Sequence, residues 1–331
     1  MLPNVLKKAL EEEASFFIEA GGSGRALKQG QKQLHNTYQK ELFGRHGQET
    51  HVKRYAYLLT RFPATYHAVA NVLGQLVDQE IFTCLDIGAG SLASSLAAAY
   101  ILPSLQRVTA IEQDEALLLL GGRLLQKIEP TISQKIYPIC QQIAKKDPLP
   151  QASLMLFSYS LGEMEEEEAR GIVQNAFFAT TDLLVIVEPG TPRGFQRVLA
   201  MRKELLNLGG NLVAPCPHHK PCPISEGNWC HFSVRLERSF WHRHLKEADL
   251  GYEDEKYCYL VVSKKPKEKA GSRVLASPEK HGGDVCLKLC TSEGRLEEKI
   301  LSKKCGAEYQ AAKKLRWGDE VVLQISKNDK L

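Results

Sequence analysis

Cys216, Cys222 and Cys230 are spaced Cys-x5-Cys-x7-Cys within Pro-Cys-Pro-His-His-Lys-Pro-Cys-Pro-Ile-Ser-Glu-Gly-Asn-Trp-Cys-His-Phe, from Pro215 to Phe232. Thiolates are soft ligands that suit iron–sulfur clusters and zinc. Pro215, Pro217, Pro221 and Pro223 exclude regular helix and central strand. Such a segment buries little apolar surface yet loses chain entropy on ordering, and a shared metal centre supplies the missing stabilisation. The spacing is wider than the Cys-x2–4-Cys usual for structural zinc, which favours an iron–sulfur cluster and leaves zinc as the alternative. A Pro-rich surface loop with unrelated thiols is the competing reading.

A second chemical signal is Leu85-Asp86-Ile87-Gly88-Ala89-Gly90, at a strand end that opens a helix. Glycines there admit a ligand close to the backbone, and helix amides face it. Glu112 ends the next strand, where a carboxylate accepts hydrogen bonds from both hydroxyls of an adenosyl ribose. The pattern suits S-adenosylmethionine (SAM) in a class I methyltransferase better than a dinucleotide, because no Gly-x-Gly-x-x-Gly is completed. Asp86, Gly88, Gly90 and Glu112 are the cofactor candidates, with Ser158 and Glu188 at the ends of the fourth and fifth strands. Leu92 replaces a third glycine and is expected to crowd the methionine part of SAM, giving weak binding. Glu188 and Arg193 either touch a ligand or belong to a turn entering the next helix. No Asn-Pro-Pro-Tyr-like loop or Pro-Cys nucleophile follows the fourth strand, where the chain reads Ser158-Tyr159-Ser160-Leu161-Gly162-Glu163. No catalytic residue is identified, and methyl transfer from a sulfonium needs chiefly alignment and a dry pocket.

The 331 residues allow one large α/β domain with appendages or two modest domains. Apolar content of 43% and charged content of 25% fit a soluble globular protein, with no membrane span. The charged amphipathic start resembles neither a signal nor a transit peptide. Nine cysteines are therefore read as reduced thiols, and the expected location is cytoplasmic. From residue 263 onward 16 Lys or Arg stand against 10 Asp or Glu, so the tail carries +6 of a net charge of +4. A basic appendage on a near-neutral body suggests a polyanion, usually RNA. Lys313, Lys314, Arg316 and Trp317 combine charge with a stacking ring and are the RNA-binding candidates, although Trp317 also reads as a packed corner.

The supporting elements follow from periodicity. Residues 1–80 form a helical extension, with Gly21 to Gly24 as a breaker, a polar and mobile stretch from Gln29 to Asn36, and a helix junction at Pro63. Residues 81–263 alternate strands with helices as a Rossmann-like core, interrupted by a Cys-rich insertion at 211–232 between the fifth and sixth strands. Residues 264–331 form a small β-rich module with strands at Arg273–Leu275, Val285–Leu289 and Val321–Ile325 and a basic helix from Ala307 to Leu315. Cys84, Cys140 and Cys258 are expected in the core and Cys305 at the surface. Glu165 to Glu168 read as a solvated helix start. Trp241-His242-Arg243-His244 either stacks on bases or caps a helix.

Arg61-Phe62-Pro63-Ala64-Thr65-Tyr66, Leu85–Gly90, Val187–Phe195, Pro215–Phe232, Arg235-Leu236-Glu237-Arg238, Leu289-Cys290-Thr291 and Arg316-Trp317-Gly318-Asp319 together resemble the methyltransferase-like proteins of the small ribosomal subunit. This is the family of the mitochondrial Rsm twenty-two protein, methyltransferase-like protein seventeen and their bacterial relatives. The resemblance covers about residues 50–320. It implies a class I SAM methyltransferase fold and binding to the small ribosomal subunit and its rRNA during assembly, by a protein expected to be monomeric. It also implies a four-cysteine [4Fe–4S] cluster held by Cys216, Cys222, Cys230 and, by position, Cys290 rather than Cys286. With four cysteines sufficient, His218, His219 and His231 are expected beside the ligands or facing RNA. The resemblance leaves an active rRNA methyltransferase and a non-catalytic assembly factor as equal alternatives, with a zinc-stabilised RNA-binding protein as a third.

Overall fold

In a computed structural model, residues 1–40, 50–266 and 271–322 are described. The chain divides into two compact units, one comprising residues 1–188 and 234–256, the other residues 189–233 and 257–331.

The first unit begins with α1 (Asn4–Glu19), α2 (Gly24–Lys40) and α3 (His51–Leu73). Thr50 caps α3 by accepting from the Lys53 amide. The expected mobile stretch at 29–36 is helical, because α2 buries Leu27 and Leu34 on a helical stripe. The expected junction at Pro63 is also corrected: α3 runs through it unbroken. Tyr55, Leu58, Phe62, Tyr66 and Val69 are all buried, and this packing outweighs the hydrogen bond that proline removes.

The core then alternates β1 (Thr83–Ile87), α4 (Ala93–Ile101), β2 (Arg107–Glu112), α5 (Glu115–Leu125), α6 (Pro130–Ser133), β3 (Ile136–Cys140), β4 (Ala152–Ser158), α7 (Glu166–Ala179) and β5 (Thr180–Pro189). Strands of Val, Ile and Leu separated by helices require parallel pairing through crossovers. The strands lie in the order β3-β2-β1-β4-β5, each pair parallel. This is a Rossmann-like sheet whose order reverses between β1 and β4, so the crevice beyond their carboxyl ends is where a ligand belongs. Cys84 is buried in β1, but Cys140 is exposed because β3 is the edge strand.

The second unit carries α8 (Pro192–Asn207) and β6 (Asn211–Ala214), with Thr191 capping α8 ahead of Pro192. The Cys-rich loop follows β6, a short strand that the neighbouring prolines obscure in the sequence. The chain continues through β7 (Phe232–Glu237), α9 (Phe240–Lys246) and β8 (Tyr252–Ser263), with β6 antiparallel to β8. Residues 234–256 of this stretch belong to the first unit. Then come β9 (Ser272–Val274), β10 (Glu279–Lys280), β11 (Asp284–Cys290), β12 (Leu296–Ser302), α10 (Ala307–Ala312) and β13 (Glu320–Val321). β9 to β13 form a five-stranded sheet over a core of Val274, Val285, Leu287, Leu289, Leu301 and Tyr309. The expected strand residues 323–325 lie outside the described residues. No helix among the described residues is long and apolar enough to cross a membrane.

Candidate metal centre and nucleoside cleft

In the second unit Cys216, Cys222 and Cys230 from the loop, and Cys290 from the end of β11, line one cavity of about 50 Å3. Cys258 of β8 joins them, donating from Sγ to the Cys230 carbonyl at 3.1 Å. Cys286 does not line the cavity. The turn after β11 is pinned to the loop: Lys220 Nζ meets the Glu293 carboxylate at 3.1 Å and donates to its carbonyl at 3.0 Å. Gly294 there has φ +75°, and a β-carbon on it would stand 3.5 Å from His218 Cε1.

Two guanidinium groups shape the cavity. Arg202 of α8, 5% exposed, donates through one nitrogen to the His218 and Lys220 carbonyls at 3.0 and 2.7 Å. Arg273 of β9 donates from Nε to the Pro215 carbonyl at 2.8 Å and from Nη1 to that of Gly318 at 2.9 Å. His218 lies buried between, its Nδ1 3.1 Å from the Lys220 carbonyl and its Nε2 3.4 Å from Cys290 Sγ. A carbonyl only accepts, so Nδ1 carries a proton and Nε2 is the atom that faces the Cys290 sulfur. Burial, and after it the nearby Cys216, pushes the Cys290 thiol up to about 12. Burial raises Cys230 well above the usual thiol range and raises Cys222 as well.

These residues fit a tetrathiolate centre. Arg202 Nε is buried without a hydrogen-bond partner, and no carboxylate lines the cavity. Four thiolates around zinc or an oxidised [4Fe–4S] core would leave two negative charges, and the buried Arg202 and Arg273 would offset them, Arg273 sharing its charge with Glu320 at 3.4 Å. Among the described residues no three His, Cys, Asp or Glu side chains converge into ready-made coordination. His231 stacks on Trp229 at 5.6 Å and meets the edge of Trp317 at 5.0 Å. Trp317 is half-buried there, while Lys313, Lys314 and Arg316 are exposed beyond the end of α10.

In the first unit, a cleft of about 230 Å3 opens at the ends of β1, β2 and β4. Gly88 and Glu112 line it, with Gln113, Gln141, Ser160 and Glu163, which sequence reasoning missed. The signal that would have found them is their place just after the strand ends. Gly88 has φ +75°, and a β-carbon on it would stand 2.5 Å from that of Ser160. The Gly88 and Ala89 amides donate to the Ile111 carbonyl at 2.9 and 3.0 Å. Glu112 Oε2 accepts from the Gly90 amide and Oε1 from the Asp114 amide, both at 2.8 Å.

The remaining candidates stand behind the cleft. Asp86 is fully buried, its Oδ2 accepting from the Ser94 and Ser95 hydroxyls at 2.6 Å each. Burial raises its carboxyl to about 6, against the opposing pull of those two bonds. Glu188 is fully buried and accepts from the Leu161 amide at 3.2 Å, and Ser158 is 6% exposed. Leu92 corrects its expectation: the side chain is buried against Gly121 of α5 and does not line the cleft. Its φ of +69° turns it inward, where the glycine leaves room.

The chain is similar to the mitochondrial Rsm22-cox11 tandem protein 2 of Schizosaccharomyces pombe, 26% identical over 81% of this chain and 43% of that protein. It is also 26% identical to the mitochondrial ribosome assembly protein METTL17 of Homo sapiens, over 72% of this chain and 54% of that one. The chain thus spans about half the length of these relatives. The family model described as mitochondrial small ribosomal subunit Rsm22 matches residues 51–322, from the start of α3 to just past β13, and the chain belongs to that Rsm22 family.

Proposed function

We propose that this protein acts on the small ribosomal subunit during its assembly, binding rRNA, with SAM in the cleft of the first unit and a [4Fe–4S] cluster in the cysteine cavity of the second. One observation carries the reading: four thiols far apart in sequence line one cavity with two buried guanidinium groups and no carboxylate. Cys216, Cys222, Cys230 and Cys290 would hold the cluster, which can supply a rigid cross-link between the loop and β11 and a redox-sensitive charge. Gly88 and Glu112 would hold SAM, which supplies an activated methyl group when bound. Arg202 and Arg273 fix the loop through its carbonyls and would offset the charge of the loaded centre. The relatives support the ribosomal part, among them the human ribosome assembly protein METTL17. Nine free cysteines suit a reducing compartment.

A non-catalytic role, in which cofactor and cluster serve assembly alone, is the alternative. In either role a ribose would share the Glu112 carboxylate, whose two oxygens already accept from the Gly90 and Asp114 amides. Anaerobic purification with iron, sulfide and zinc analysis, followed by tritiated SAM on immature small subunits, tests the whole. Iron and sulfide at four each per chain with label in rRNA support an active methyltransferase. The same metal content without label supports the assembly role. Zinc without sulfide replaces the cluster by a structural zinc site.

A further inference from the structure

Helix α9 turns His242 and Leu245 inward and leaves Phe240, Arg243 and His244 at the surface. Phe240 is 62% exposed. Its ring stacks on that of His244 one helical turn on, 5.8 Å away with 8° between planes. Trp241 meets the two edge-on at 5.4 and 6.0 Å. Three rings thus form a platform at the surface, where a folded chain gains nothing from exposing an aromatic group.

Positive charge adjoins it. From Gly24 to Lys32, α2 contains Arg25, Lys28 and Lys32 and no acid, and α9 contains Arg243, His244 and Lys246 and no acid. The two helices meet at the platform: a β-carbon on Gly24 would stand 3.4 Å from His244 Nε2 and 3.6 Å from Trp241. Glu247 pairs with both Lys28 and Lys32, and Glu253 pairs with Lys246, which leaves the two arginines to supply the charge. Arg25 and Arg243 are exposed and enter no ion pair among the described residues. Trp241 also lines a cavity of about 360 Å3 shared with Tyr252, Glu11 and Glu237; the Arg235 guanidinium lies 4.0 Å from the Tyr252 ring centroid and pairs with Asp254.

We infer that this face of α2 and α9 binds single-stranded RNA, with bases stacked on Phe240 and His244 and phosphates on Arg25 and Arg243. Every base has a π-face, so such a platform accepts any sequence, and exposed guanidinium groups supply the backbone contacts. The cavity gives a base turned out of the stack somewhere to go, which a flat basic surface lacks. An acidic peptide would use the cations and leave the rings bare, and duplex RNA presents no free base faces. The inference rests on the proposal that the partner is RNA and adds residues of α2 and α9 to the candidates Lys313 to Trp317.

The test is fluorescence anisotropy of the full chain with a labelled single-stranded RNA, a duplex of the same length and an acidic polypeptide competitor. The single strand should bind more tightly than the duplex. Phe240→Ala with His244→Ala should weaken it at least about fivefold, as expected for one lost stacking contact. Arg25→Ala with Arg243→Ala should lower the log–log salt slope by about 1.4, or roughly 0.7 per phosphate. Both pairs are at the surface, and unchanged near-ultraviolet circular dichroism checks that they fold. If these variants bind like wild type while Lys313→Ala, Lys314→Ala and Arg316→Ala together abolish binding, the α2–α9 surface is wrong and the RNA reading stands. If wild type binds no RNA, both fall. If the acidic polypeptide displaces RNA only through Arg25 and Arg243, without sensitivity to Phe240, the face is a peptide site.

Discussion

Leu92 Cγ lies 2.6 Å from where a β-carbon on Gly121 would stand, so the leucine that replaces a cofactor-loop glycine is packed into α5 instead of the cleft. A left-handed residue at the start of α4 is strained by about 1–3 kcal/mol. Burial of the whole side chain over a helical glycine offsets that strain.

Leu92→Ala should therefore destabilise the protein by about 2–5 kcal/mol through the cavity it leaves, without tightening SAM binding. Gly121→Ala should destabilise by about 1–3 kcal/mol through overpacking, and by less in a Leu92→Ala background. Urea melts and calorimetry with S-adenosylhomocysteine check both. Tighter binding in Leu92→Ala would place the side chain in the cleft after all.

Serine at Cys216, Cys222, Cys230 or Cys290 should each lower bound iron to a small fraction of wild type and reduce the melting temperature. Cys286→Ser and Cys305→Ser should do neither, because Cys286 does not line the cavity and Cys305 is exposed. Iron and sulfide assays on anaerobically prepared variants decide it. Full iron in Cys290→Ser with loss in Cys286→Ser would mean that the fourth ligand is misassigned.

Arg202→Met should cost about 2–4 kcal/mol, since charged hydrogen bonds to the His218 and Lys220 carbonyls go with it. It should also lower metal retention during dialysis against a chelator. Arg202→Lys should lie between, keeping the charge but losing the planar fork. Metal loss equal to wild type in Arg202→Met would remove the guanidinium from the centre's charge balance.

Asp86 has its carboxyl raised from 3.8 to about 6 by burial. Its folded form holds the proton more tightly than its unfolded form. The stability this brings is full below about pH 4 and disappears as pH rises through about 6, a change of about 3 kcal/mol. Asp86→Asn removes it, so the stability of wild type relative to this variant should fall between pH 4 and 6 and level off above. Parallel curves across that window would mean that Asp86 stays ionised.

Replacing Lys313, Lys314 and Arg316 together by Ala should weaken binding to small-subunit rRNA and lower the log–log salt slope by about two to three. All three are exposed, so the melting temperature should stay unchanged. An unchanged slope would take RNA off this segment.

Sequence alone determined the features that are local. The alternation of apolar runs with helices requires a parallel core, glycines at the end of β1 require a close turn, and the Cys-Pro block marks an irregular loop. Tertiary structure decided whatever depends on distant neighbours. Cys290 faces the cavity because β11 pairs with β9, placing it opposite Arg273, whose guanidinium holds the Pro215 carbonyl. Periodicity places Cys286 and Cys290 in one strand but says nothing of which neighbours surround each. Pro63 stays within α3 because its neighbours are buried, and Cys140 is exposed because β3 is an edge. Leu92 leaves the cleft because α5 offers Gly121, a contact across 29 residues. Helix and strand periods arise from backbone geometry and are written into adjacent residues. The direction of a side chain into a site arises from what packs behind it, which only the folded chain assembles.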